Sequence, residues 1–183
     1  MSNLMTAVVD DLKKRGRMLF ILSGSPKLSK TRMVGLLAQF FKKEPFTRVK
    51  VHTTNENRRT SDGFIVVSDA EFQELKEEGS FIEYTKKLPE EGGYSYGVSI
   101  QEISKAALTG HPFVLVSPVA ALTLKYESPE LNTIYLKAKG DEADNLSLEK
   151  FGHVVNMPIR EGYAVEMVAE RMLAVANLVP RVN

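Results

Sequence analysis

The chain has 183 residues, 24 Lys and Arg against 23 Asp and Glu, a formal charge of +1 and no cysteine. That length suits one well-buried core and is short for two, so a single domain spanning 1–183 is expected. The charge balance supplies no bulk basic field for nucleic acid or an anionic membrane, and the lack of cysteine excludes a disulfide scaffold, thiolate metal sites and a cysteine nucleophile.

No apolar run approaches the roughly 20 residues of a membrane helix, and the N-terminus lacks a basic-then-apolar signal pattern, so a cytoplasmic protein is expected. Leu4, Met5, Val8, Val9 and Leu12 recur at helical spacing and predict an amphipathic helix over Leu4–Lys14. Met18–Leu22 is a continuous apolar run, as in a strand covered on both faces, and Lys30–Lys43 reads as the helix after it. A strand is expected at Arg48–His52, a loop over Thr53–Gly63 and a strand at Phe64–Val67. Ser68 with Glu71, and Ser99 with Glu102, are capping-box pairs that open helices over Asp69–Glu78 and Ile100–Thr109, with Gly79 and Gly110 at their far ends. Ser80–Lys86 between them is a strand, and Glu91–Gly97 is a glycine-containing connection.

Strands are then expected at Phe113–Ser117, Leu131–Lys137 and His153–Met157, a short helix at Val119–Lys125 and a closing helix at Gly162–Leu178. This order gives an α/β fold with a mainly parallel sheet wrapped by helices and a smaller β-rich insertion over 48–98, the core being 16–47 and 99–183. His52, His111 and His153 have no metal-ligand spacing and read as isolated strand-edge histidines. Met18, Met33, Met167, Met172, Phe40 and Phe41 fall at apolar positions and read as core.

Between the first strand and its helix lies Leu22–Thr31, LSGSPKLSKT. A phosphate loop of the form G-x-x-x-x-G-K-[ST] presents backbone N–H groups to phosphate oxygens, with a lysine for charge and a hydroxyl for Mg²⁺. Gly24 fits the first glycine, Lys30 the lysine and Thr31 the magnesium ligand, while Ser29 stands at the second glycine. Gly24, Ser29, Lys30 and Thr31 are thus the candidate ATP-binding residues, and Lys30 is the candidate catalytic one. The plain alternative is a strand-to-helix turn with a solvated Lys30.

Further short stretches follow in order: Val51–Arg58 (VHTTNENR), Asp62-Gly63, Val67-Ser68, Glu71-Phe72, Phe81–Tyr84 (FIEY) and Tyr96–Ser99 (YGVS). Together they resemble the guanylate kinase family over residues 17–125, and weakly over the C-terminal strand and helix. The resemblance implies a three-layer P-loop kinase fold with a GMP-binding-type insertion. It places Arg58 and Tyr96 on the phosphate of GMP and Glu83 on the guanine N1–H and N2 amino edge. Position 55 is asparagine where the family has its first arginine, Val51 and Val98 replace hydroxyl residues, and the strand after Asp62-Gly63 is about two residues short.

The family's Asp-x-Asp corresponds to Val116-Ser117-Pro118, and Leu136–His153 is too brief for arginine-bearing lid helices, offering Lys137, Lys139 and Lys150. Phosphoryl transfer is mainly positioning and charge neutralisation, so these losses remove much of what a kinase contributes. The expectation is a guanylate-kinase-like domain, catalytically impaired, that binds GMP or another phosphate-bearing ligand, or a protein or phosphopeptide partner through Arg58, Arg59 and Tyr96. The alternative is a divergent active kinase that uses ATP and Mg²⁺, with the missing acid supplied by Glu127, Glu130 or Asp141. A third reading is an assembly subunit with an empty site.

Overall fold

In a computed structural model, residues 4–25, 28–42, 45–87, 90, 92–139, 148–157 and 161–177 are described, the side chains of Lys30, Asp62 and 161–163 excepted. Five strands form one wholly parallel sheet: β1 (Phe20–Gly24), β2 (Phe46–Arg48), β7 (His111–Leu115), β8 (Asn132–Lys137) and β9 (His153–Asn156), in the order β2-β7-β1-β8-β9. β1 is central and buried on both faces, which is why its sequence is apolar without alternation. One face carries Phe20, Leu22, Phe113, Ile134 and Leu136 against α2 (Lys30–Phe41) and α6 (Glu161–Val175). The other carries Ile21, Val114 and Tyr135 against α1 (Leu4–Lys14), α4 (Ile100–Ala107) and α5 (Pro118–Glu127). The result is three layers, helix, sheet and helix.

A second sheet of four strands has the order β4-β3-β6-β5, from β3 (Val51–Thr53), β4 (Phe64–Val66), β5 (Phe81–Lys86) and β6 (Ser95–Ser99). β3 and β4 are parallel and the other pairs antiparallel. α3 (Asp69–Glu77) sets Phe72 against Phe81 of β5 and is opened by the expected capping box of Ser68 and Glu71.

Four expectations change. The first strand runs from Phe20, not Met18, because the Met18 N–H donates instead to His111 Nδ1 and the pairing with β8 continues to Gly24 and Leu136. The stretch Arg48–His52 is two strands in different sheets: Val49 N–H still bonds the Phe113 carbonyl, and Val51 N–H already bonds that of Gly63. Glu91–Gly97 runs into β6, an interior strand of the second sheet. Finally, Met18, Met167 and Phe40 are exposed at 36%, 39% and 52%, whereas Met33, Met172 and Phe41 are core.

Candidate functional site

Gly24 ends β1 against β8. A Cβ there would lie 2.7 Å from the Leu136 carbonyl oxygen and 2.8 Å from its Cβ, so only glycine lets the chain leave the sheet here. Ser25 N–H donates to the same carbonyl, and Leu28 N–H turns back to Ser25. Ser29 is the N-cap of α2 with φ −76°, so it needs no glycine-only backbone, and its carbonyl accepts the Met33 N–H. Residues 26 and 27 lie outside the described chain, as does the Lys30 side chain. Lys30 and Thr31 are the first two residues of α2.

The second sheet presents one face to this helix start, and a β-bulge decides which residues it shows. Phe81 pairs with Ser99 and Glu83 with Val98, so two steps on β5 match one on β6. Without the bulge Phe81 and Glu83 would share a face. With it, Phe81 turns to Phe72 and His52, with ring centroids 4.8 and 5.7 Å away, and Glu83, Thr85 and Lys87 turn to the opposite side. Gly97 lies under the Phe81 ring, where a Cβ would sit 2.7 Å from a ring carbon. Tyr96 and Val98, the cross-strand partners of Thr85 and Glu83, join them on the opposite side.

The Thr-Thr-Asn segment is tied to that face. Thr53 Oγ1 accepts the Asn55 N–H at 3.1 Å, and Thr54 Oγ1 accepts the Ser95 N–H at 3.0 Å. Asn55, in the place of an arginine, donates its side-chain amide to the Tyr96 hydroxyl at 3.4 Å. Arg58 N–H bonds the Asn55 carbonyl, and the Arg58 guanidinium stands 4.9 Å from the Phe64 ring centroid.

These elements enclose a cavity of about 370 Å³. Thr31, Arg58, Glu83 and Tyr96 all line it, although they come from α2, a loop, β5 and β6. Val51, Phe64 and Val98 give it an apolar wall, and Leu115, Val116 and Ser117 form the edge contributed by the core sheet. Gly24 and Ser29 do not line it; Ser29 faces a neighbouring groove together with Thr31. Glu83 is the carboxylate of the cavity wall, and burial raises its pKa above the ordinary carboxylate value, offset in part by the Thr85 hydroxyl that donates to it at 2.8 Å. A carboxylate held short of water in the same cavity wall as an arginine and a tyrosine can either pair with N–H donors of a ligand or take a proton.

Arg48 also lines the cavity, and no motif marks it. It ends β2, its guanidinium lies over Gly63, whose φ is +80°, and a Cβ there would come within 2.3 Å of it. It also stands 6.0 Å from the Phe64 ring that carries Arg58. The one available signal is glycine after Asp62.

Where a metal-orienting acid would stand, Val116 N–H completes a sheet bond to the Leu22 carbonyl, and Ser117 Oγ caps α5 by accepting the Ala120 N–H. Among the described residues no three His, Asp or Glu side chains gather where a metal ion could be held. Val116 and Ser117 thus put no carboxylate at that position, and Thr31 is the described hydroxyl that could face a magnesium ion brought by a nucleotide. Glu127 and Glu130 cannot replace the missing acid from where they lie. The Glu127 carbonyl accepts the Thr6 hydroxyl at the far end of α5, on the order of 15 Å along the helix from Ser117, and Glu130 pairs with Lys13. Asp141 lies outside the described residues, as do residues 140–147 of the short connection between Leu136 and His153.

No sequence family matches the chain, and no curated protein matches it by sequence. Among solved structures it is similar to guanylate kinase from Anaplasma phagocytophilum, with a TM-score of 0.63 and 15% identity over 87% of this chain and 86% of that one. The chain therefore has a P-loop kinase-like three-layer α/β fold of the guanylate kinase type. At that identity the likeness is one of fold.

Proposed function

We propose that this protein is a guanylate-kinase-like domain that binds a guanine nucleotide, or another ligand with a phosphate and paired N–H donors, and is impaired in phosphoryl transfer. The supporting observation is one cavity that gathers Glu83, Arg58, Tyr96 and Thr31, closed on the core side by Val116 and Ser117. In this reading Glu83 accepts the N1–H and N2 amino hydrogens of guanine, a charge-assisted pair strengthened by its dry setting. Arg58 and Tyr96 hold the phosphate, and the apolar wall of Val51, Phe64 and Val98 covers the base. Gly24, Ser29, Lys30 and Thr31 form the inherited phosphate loop, in which Lys30 would be the catalytic group and Thr31 the magnesium ligand of an active enzyme. A phosphopeptide would use the same Arg58 and Tyr96 with exposed Arg59 beside them.

The second reading is an active kinase that transfers the ATP γ-phosphoryl group to GMP. Thr31, at the start of α2 and in the wall of the same cavity, favours it. The two are separated by calorimetry with GMP and ATP beside an ADP-release assay in the presence of ATP, Mg²⁺ and GMP. The impaired reading expects GMP binding that is lost in Arg58→Ala and turnover at background. Turnover that collapses in Lys30→Ala overturns it in favour of the kinase.

A further inference from the structure

We propose that Asn55, which does not itself line the cavity, is a positioning residue for the phosphate of the ligand: its side-chain amide fixes the Tyr96 hydroxyl as a donor into the cavity, and its backbone carbonyl anchors the turn that carries Arg58. The inference rests on the nucleotide reading of that cavity.

Asn55 follows β3, and its backbone and side chain are both engaged. Its N–H donates to Thr53 Oγ1 at 3.1 Å, its carbonyl accepts the Arg58 N–H at 3.0 Å, and its Oδ1 accepts the Asn57 N–H at 3.0 Å. The last is the bond of an Asx turn, in which the side chain caps the backbone two residues on. The segment is clamped to β6 as well. Thr53 pairs with Tyr96 across the antiparallel ladder. The Thr54 N–H donates to the Ser95 carbonyl at 3.1 Å, and the Ser95 N–H donates to Thr54 Oγ1 at 3.0 Å. The turn therefore holds Asn55 beside Tyr96.

The direction of the remaining bond follows from this. Because Oδ1 is taken by the Asn57 N–H, the atom facing the Tyr96 oxygen at 3.4 Å is Nδ2, which only donates. The phenol oxygen accepts, and its own proton is left over. Among the described residues no acceptor takes that proton, and Tyr96 lines the cavity. A hydroxyl that already accepts one bond is polarised toward donating another, so Tyr96 offers an anion oxygen a prepared donor. Arg58 is prepared in a similar way. Its guanidinium stands 4.9 Å from the centroid of the Phe64 ring, whose edge-to-face neighbour is Tyr96 at 6.4 Å. A contact with a ring face uses the charge of the guanidinium and none of its N–H groups, so the fork stays available to phosphate oxygens. One residue, Asn55, thus sets both groups that face the phosphate.

Aspartate at this position separates a turn residue from a positioning one. A carboxylate accepts the Asn57 N–H as the amide does and keeps the turn. It gives Tyr96 an acceptor where there was a donor, so the phenol proton swings to it and away from the ligand.

The test is titration calorimetry of the full chain with GMP and with guanosine, for wild type, Asn55→Asp, Tyr96→Phe and the double variant. Beside it, NMR follows the Tyr96 ring carbon that bears the hydroxyl, assigned by its loss in Tyr96→Phe. Asn55→Asp is expected to weaken GMP about 100-fold in the wild-type background and only about tenfold once Tyr96 is phenylalanine. The smaller loss is repulsion between carboxylate and phosphate, and the remaining factor of about ten is the donor turned away. Guanosine, which has no phosphate, is expected to bind Asn55→Asp as it binds wild type, and the Tyr96 resonance is expected to shift in the ligand-free variant. Asn55→Ser keeps a shorter cap on the turn and adds no charge. Its loss of GMP affinity is smaller, about threefold, and vanishes in the Tyr96→Phe background, which serves if the aspartate variant does not fold. Equal losses with and without the Tyr96 hydroxyl overturn the positioning role and leave the nucleotide reading standing, as does a loss of guanosine binding as large as that of GMP. A wild type that binds neither GMP nor guanosine overturns the nucleotide reading instead. Inorganic phosphate then decides the role of Asn55: a shift of the Tyr96 resonance on adding phosphate, lost in Asn55→Asp, supports it, and no shift overturns it.

Discussion

The burial that suits Glu83 to its proposed role carries a cost to the fold. Burial raises its pKa, so the folded protein favours the protonated form more than the unfolded chain does. The stability this carries is complete below the unfolded carboxyl value and is lost as pH rises through the folded one, which leaves Glu83 destabilising at neutral pH. Glu83→Gln is therefore expected to raise Tm at pH 7 and, by replacing two acceptors with an acceptor and a donor, to weaken GMP binding about 10- to 100-fold. Calorimetry beside thermal melts reads both, and a variant with lower Tm and unchanged affinity would contradict the assigned role. Gly24 is constrained by contact with β8. Gly24→Ala pushes a methyl group into the Leu136 backbone and is expected to cost about 1–3 kcal/mol in urea unfolding.

At the scale of elements, the bulge in β5 and the break between β2 and β3 build the cavity. One turns Glu83 away from Phe81 and its aromatic cluster, and the other carries the chain from the core sheet to the second sheet with Arg48 at the crossing. Both depend on pairing with residues distant in sequence, Ser99 and Val98 for the bulge and Phe113 for β2. Local periodicity in Arg48–His52 reads as one strand because the change of partner leaves no mark on the apolar pattern. The helices were more legible: α1 and the capped starts of α3 and α4 fall where their spacing and caps predict, because those signals lie within a few residues. α1 is bound to the body through Met5, Val8, Val9 and Leu12, packed against α4 and α5, and through Thr6 on the Glu127 carbonyl. Leu12→Ala is expected to lower unfolding free energy by about 2–5 kcal/mol, measured by chemical denaturation, with GMP affinity unchanged because no α1 residue lines the cavity.

For the whole molecule, acid stability follows from three histidines, each with its pKa lowered chiefly by burial. His52 is buried with Nδ1 unpartnered, His111 accepts the Met18 N–H on an unprotonated Nδ1, and His153 begins β9. A base that the fold keeps neutral contributes its full stability above the unfolded value, about 6.5, and that stability is lost as pH falls through the window down to the folded values. Tm is expected to drop as pH falls below about 6.5, and His111→Gln, which retains an acceptor for Met18, should flatten part of that drop. An unchanged acid profile in that variant would remove His111 from the account.

The sequence by itself determined the layered α/β architecture, the glycine at the end of β1, the helix starts and the residue types the site draws on, because each is written in spacings of a few residues. Which of those residues meet was decided by tertiary structure. Thr31, Arg58, Glu83 and Tyr96 share one cavity because a bulge, a change of sheet and two close-contact glycines bring them together. Arg48 joins them without any motif. The physical reason is that strand pairing is long-range: its register fixes which way each side chain points, and a shift of one residue sends a carboxylate to the opposite face.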